Sequence, residues 1–212
     1  LCKIKINKYN LIVSRTGYTG EPLGYEIFVH PDDLIQLWNS LIKVGKPYGL
    51  LPCGLASRDS TRTEAGLPLY GHEIAGHLNI TISESGFGSY IKTYKPWFIG
   101  RKSYINSKDR GKIVRFRFDN KGVRMAHLGD PVVDKRGKVI GKVTSCAIDS
   151  NGLLIGQALI IKNNAKVGNK IGIFQNANNK SEKSKVELDY GDKVTLHESA
   201  TILPRFMKKP KL

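Results

Sequence analysis

Cysteine is scarce in this chain: Cys2, Cys53 and Cys146 stand far apart, and no C-x-x-C pair occurs in its 212 residues. That spacing excludes a disulfide framework and a thiolate zinc site, and it predicts reduced thiols. No apolar run approaches the ~20 residues that a membrane-spanning helix needs. The opening Leu1-Cys2-Lys3-Ile4-Lys5 has neither an apolar h-region nor an Arg/Ser-rich amphipathic pattern, so neither a signal nor a transit peptide is visible. The expectation is a soluble, cytoplasmic chain without a membrane partner. Acidic residues are also few, 18 against 34 Lys and Arg, for a formal charge of +16. Such a surface draws polyanions through a long-range field that acts on association and not on fold. The basic residues are nevertheless spread along the chain, with no RNP-like strand, Cys/His finger or helix-turn-helix signature, which argues against nucleic acid. His72-Glu73-Ile74-Ala75-Gly76-His77 is one residue too long for the zinc-protease spacing, so no metal site is expected. A nucleophile elbow is missing as well.

What is present reads as an α+β chain. Residues 4–13 alternate and then turn apolar, predicting a strand, and 24–29 predict a second. Pro31-Asp32-Asp33 opens a helix carrying Leu34, Leu37, Trp38, Leu41 and Ile42 at helical spacing, stopped by Gly45 and Pro47. Another helix is predicted from about Pro52–Gly54 to Ala65, with Gly66 ending it. Residues 72–111 are irregular and include the basic-aromatic stretch Lys92 to Phe98. From Lys112 the period becomes two, with Val114, Phe116 and Phe118 against Arg115, Arg117 and Asp119. Strands predicted over 139–148, 153–161, 167–174, 185–190 and 193–198 fit an antiparallel barrel. Asn176 to Ser184 reads as a mobile loop and Lys208-Lys209-Pro210-Lys211 as a solvated tail. The divisions expected are 1–75, 76–111 and 112–212.

The densest chemistry lies in Arg15-Thr16-Gly17-Tyr18-Thr19-Gly20-Glu21, followed by Gly24-Tyr25-Glu26-Ile27 and by Gly54-Leu55-Ala56-Ser57-Arg58-Asp59. The Gly17-x-x-Gly20 pair does not precede a helix as a dinucleotide loop would, and reads as turn glycines. These blocks, with Glu64 to Gly71, Phe98-Ile99-Gly100-Arg101, Gly141 to Ser145 and Gly156-Gln157-Ala158, resemble in order and spacing the aminomethyltransferase (T-protein) family of the glycine cleavage system. The resemblance covers nearly the whole chain but only the C-terminal part of the family. It implies the C-terminal part of the T-protein folate-binding fold, a partial ferredoxin-like α+β region, followed by an antiparallel β-barrel domain.

It also implies tetrahydrofolate as cofactor and a folate site of Tyr18, Glu26, Arg58 and Arg124. A carboxylate such as Glu26 can grip adjacent donors on an amino-pyrimidine edge with two parallel hydrogen bonds; read without the resemblance, it is an exposed strand residue. Tyr18 offers a ring for stacking and a phenol for a polar contact, or core packing at a turn. Arg58 can fork onto a carbonyl or carboxylate, or anchor Asp59 or Glu64. Arg62 and Glu64, one turn on, read as a supporting ion-pair network. Arg124 matches the arginine at the folate entrance, in competition with Arg101, Arg115 and Arg117. The family's catalytic aspartate falls in a long N-terminal portion ahead of the position of Arg15, where this chain has fourteen residues. The implied activity is tetrahydrofolate-dependent aminomethyl transfer from the lipoyl carrier protein (H-protein), with the N-terminal portion needed for activity and supplied, for example, by a second chain carrying that half. Three other classes stay open: a folate-dependent methyltransferase or demethylase on another donor, a non-catalytic folate-binding regulatory module, and a basic nucleic-acid binder.

Overall fold

The computed structural model describes residues 1–175, 184–185, 187–195 and 197–206. The loop expected over 176–184, apart from Ser184, and the basic tail lie outside them. At the N-terminus β1 (Cys2–Ile6) and β2 (Tyr9–Ser14) form an antiparallel hairpin pairing Ile6 with Tyr9 and Cys2 with Val13. The single strand expected over 4–13 is thus broken in two. Asn7 takes the left-handed conformation at φ 52°, which short polar side chains tolerate, and the chain reverses there. β3 (Glu26–Phe28) adds to β2, with Ser14 opposite Glu26 and Ile12 opposite Phe28.

The helix α1 (Pro31–Gly45) begins as expected, with Pro in its first turn, Asp32 and Asp33 at the positive end of the dipole, and His30 Nδ1 accepting from the Asp32 N–H at 3.4 Å. It packs Leu37 on Tyr9 and Leu11 of β2. The next helix, α2 (Leu55–Ala65), ends at Gly66, whose φ of +81° suits glycine and which sits so close to the Arg205 carbonyl that a Cβ would lie 2.0 Å from it. Beyond it the chain runs through turns to the short α3 (Arg101–Asn106). That irregular segment is held by the buried Glu84 carboxylate, which accepts from the N–H groups of Thr81 (2.9 Å) and Arg110 (2.8 Å) and from the Arg110 guanidinium. Burial alone would raise its pKa; the hydrogen bonds from Arg110 and the two backbone N–H groups outweigh that and hold it below the usual glutamate value.

The remaining strands are β4 (Gly111–Phe118), β5 (Pro131–Val133), β6 (Val139–Ile148), β7 (Leu154–Ile161), β8 (Lys170–Ile173) and β9 (Glu198–Leu203). They close into an antiparallel barrel in the order β4-β7-β6-β5-β8-β9. Its interior is the main core, with Phe116, Phe118, Val143, Ile160, Ile173 and Ile202 among the buried residues. The last strand begins at Glu198, where a strand over 193–198 was expected, because Ala200 and Ile202 carry the inward alternation. Among the described residues no strand occupies 185–190. Alternation on β4 also misleads at Arg115, expected outward and solvated. It is buried because α2 covers that outer face, and its Nη1 donates to the Glu64 carbonyl at 2.5 Å.

Candidate functional site

The turn between β2 and β3 is pressed against α2. Gly20, at φ +92°, makes this approach: a Cβ there would lie 2.3 Å from the Cβ of Ala65. The turn is thereby anchored beyond the helix, where the Tyr18 hydroxyl donates to the Pro68 carbonyl. Half-buried, Tyr18 has its phenol pKa pushed up by burial, opposed by the charges of Arg62, Arg205 and Arg58 and reinforced by Glu73. The phenol is therefore the meeting point of residues from α2, from the segment after it and from the far end of the chain.

Glu26 opens β3 with an exposed carboxylate, and the Thr16 hydroxyl donates to its Oε2. Arg58 is exposed on α2 and within electrostatic reach of Tyr18; among the described residues its guanidinium makes no hydrogen bond or ion pair. Tyr18 and Arg58 thus share one neighbourhood, and Glu26 sits eight residues further along the turn that carries Tyr18. Arg124 lies instead on the connection between β4 and β5, where its carbonyl accepts from Gln175 Nε2 at 2.6 Å.

From the sequence, Arg62 and Glu64 belong to one supporting network, and the structure separates them. Fully buried, Arg62 donates Nε to Asp59 (2.7 Å), Nη1 to Glu73 Oε2 (2.6 Å) and Nη2 to Ser145 Oγ (2.8 Å). Ser145 in turn donates to Glu73 Oε1 at 2.6 Å and lies 3.2 Å from His72 Nδ1. Glu64 accepts from Ser150 on the β6–β7 turn. Glu73 and Ser145 thereby join α2 to the wall of the barrel, a role their sequence context gives no sign of, since they stand 72 residues apart.

Arg205 was also missed. Its Nη1 donates to Gln157 Oε1 and its Nη2 to the Ser85 carbonyl at 3.3 Å, while Nε is buried without a partner. Burial pushes the guanidinium down to about 10. Next to it the Phe206 ring stacks on Phe87 with centroids 6.5 Å apart. These two rings, Tyr90, Ala65, Leu67 and the Gly17–Glu21 turn line a cleft of about 400 Å³. It offers aromatic faces on one side and turn backbone on the other. Neither Glu26 nor Arg58 lines it.

Residues 1–95 match the family model described as GCVT N-terminal domain. Over 179 residues the chain is 43% identical to an aminomethyltransferase of Alkaliphilus metalliredigens, a match covering 81% of this chain and 46% of that protein. An aminomethyltransferase of Leptospira interrogans is 44% identical over 167 residues, 77% of this chain and 44% of its own length. The chain belongs to the aminomethyltransferase family. It spans about half the length of the curated relatives it matches. In fold it is similar to glycine cleavage system aminomethyltransferase T from Bartonella henselae, with a TM-score of 0.69 at 21% identity over 94% of this chain and 49% of that one. The family's architecture accounts for the α+β segment running directly into a closed barrel.

Proposed function

We propose that this chain forms part of a tetrahydrofolate-dependent aminomethyltransferase that works in the cytoplasm on the lipoyl carrier protein, H-protein, of the glycine cleavage system. The observation that carries the reading is the gathering of Arg58, Arg62 and Arg205 around the half-buried Tyr18 phenol, in a chain 43% identical to an aminomethyltransferase over 179 residues. The donor set suits a pteridine. Glu26 has a second carboxylate oxygen with no partner among the described residues, and the Arg58 guanidinium is exposed.

In this reading Glu26 holds the amino-pyrimidine edge, with Thr16 fixing its carboxylate. Arg58 takes a carbonyl or carboxylate of the ligand, a fork that Lys would not reproduce. Tyr18, pinned by Pro68, closes the wall, and Arg124 stands at the entrance. When bound, tetrahydrofolate supplies the nitrogen that takes the one-carbon unit from the aminomethyl-lipoyl group with release of ammonia. The chain's residues contribute mainly position and the protonation state of nearby groups. The steering carboxylate comes from the portion of aminomethyltransferases that these residues do not span. Residues 1–75, 76–111 and 112–212 act as the three units of the chain's share.

The test is turnover with that portion supplied as a separate polypeptide. Methylenetetrahydrofolate and ammonia should appear in equal amounts from aminomethyl-lipoyl carrier protein. Turnover only with a methyl donor would replace the donor assignment, and folate binding without any turnover would leave a regulatory module.

A further inference from the structure

The basic-aromatic run that begins at Lys92 and leads into α3 takes no part in the folate site. From Ser85 to Lys108 the chain has no Asp or Glu, so no carboxylate of the segment neutralises Lys92, Lys95, Arg101, Lys102 and Lys108. The same run displays two large rings, with Tyr94 and Trp97 80% and 75% exposed. Its backbone is held in shape. One turn joins the Lys95 N–H to the Lys92 carbonyl at 3.1 Å, and another joins the Arg101 N–H to the Phe98 carbonyl at 3.1 Å. Across the loop, the Arg101 guanidinium donates Nε and Nη2 to the Thr93 carbonyl at 3.3 and 3.0 Å. Arg101 thus closes the loop, while Lys92, Lys95 and Lys102 stay exposed. Lys92 Nζ gives one N–H to the Ser89 carbonyl at 3.0 Å and keeps two.

We propose that the loop from Lys92 to Lys102 binds a single-stranded polynucleotide, stacking bases on Tyr94 and Trp97 and meeting phosphates with Lys92, Lys95 and Lys102. Charge complementarity selects a polyanion, because the loop is wholly basic and the chain brings +16 to the encounter. The two rings select a polyanion that carries flat groups along its backbone. Three residues apart, their Cα atoms lie within about 10 Å of each other, in reach of one short strand. A duplex keeps its bases stacked on one another and offers these rings no free face. An anionic membrane has the charge, but Lys95 stands between the rings, and inserting both would carry its ammonium toward hydrocarbon. Stacking and phosphate contact need no named nucleic-acid fold and discriminate little between sequences, which fits a chain without such a signature. Neither folate nor aminomethyl transfer enters this inference.

The test titrates the whole chain, carrying Trp38→Phe so that Trp97 is the remaining tryptophan, with labelled oligo(dT) and oligo(U) of about twelve nucleotides. Anisotropy and Trp97 fluorescence are the readouts. Single strands should bind and quench Trp97, and the tighter of the two names the preferred sugar. A duplex of the same length should bind about ten-fold more weakly or worse. At unchanged charge, Tyr94→Leu/Trp97→Leu should weaken binding by about ten-fold or more, read by anisotropy. Lys92→Gln/Lys95→Gln/Lys102→Gln should lower the slope of log affinity against log salt by about 2. The control Lys3→Gln/Lys5→Gln/Lys166→Gln removes the same charge outside the loop and should change that slope by less than about 0.5. Thermal melts should be unchanged, since all these side chains are exposed. No binding, equal losses in the loop and control variants, a duplex bound as tightly as a single strand, or tighter binding to vesicles containing phosphatidylserine would each overturn the proposal.

Discussion

Arg62 donates Nη1 to Glu73 Oε2 over 2.6 Å with both side chains fully excluded from solvent, and Ser145 of β6 bonds to both partners. Removing one member leaves the other charge buried and uncompensated. Arg62→Ala should therefore cost about 3–5 kcal/mol of stability, while the double variant Arg62→Met/Glu73→Leu should cost clearly less than the sum of its single changes. Urea denaturation of the four proteins gives the coupling directly.

Close approach of the Gly17–Glu21 turn to α2 depends on the missing side chain at Gly20. Gly20→Ala meets both a left-handed backbone and Ala65, and should cost about 1–3 kcal/mol. Adding Ala65→Gly removes the collision but not the strain, so thermal melts should show a partial recovery at most.

Cys146 is partly buried against the barrel core, and burial pushes its thiol up to about 11 from 9.0. At pH 8 only about 0.1% is thiolate. Iodoacetamide should label the exposed Cys2 and Cys53 rapidly and Cys146 only after denaturation, as counted by mass spectrometry. The folded state favours the protonated thiol, so its contribution is fully present below pH 9 and is lost as pH rises through 11. That contribution is on the order of 2–3 kcal/mol, which Cys146→Ala should flatten.

Glu84 gives the opposite slope. Its carboxyl is held below the ordinary value of 4.5, so the stability it contributes is present above that value and lost as pH falls through the lower folded one. Acid unfolding followed by circular dichroism should shift to higher pH in Arg110→Ala. In Glu84→Gln the dependence below pH 4.5 should be shallower, at lower overall stability.

Local signals made much of the fold legible. Pro31, Asp32 and Asp33 announce α1, Gly66 ends α2, and the turn residues at 134–137, 149–152 and 163–164 bracket the barrel strands Val139–Ile148 and Leu154–Ile161. What stayed hidden is what one element does to another. Burial of Arg115 follows from the placement of α2, and the pairing of Glu73 with Ser145 from a register 72 residues away. Tyr18, Glu26 and Arg58 were singled out through short blocks in a fixed order. Arg205 and Phe206 were not, because a lone cation and ring near the end of a chain carry no period, and only the folded chain sets them beside Phe87 and Gln157.

The central claim is that Glu26 and Arg58 clasp one flat ligand. Isothermal calorimetry of the whole chain with tetrahydrofolate should show weak binding that Glu26→Ala and Arg58→Ala each abolish, with circular dichroism unchanged because both side chains are exposed. Binding by the unaltered chain that survives both changes would contradict it.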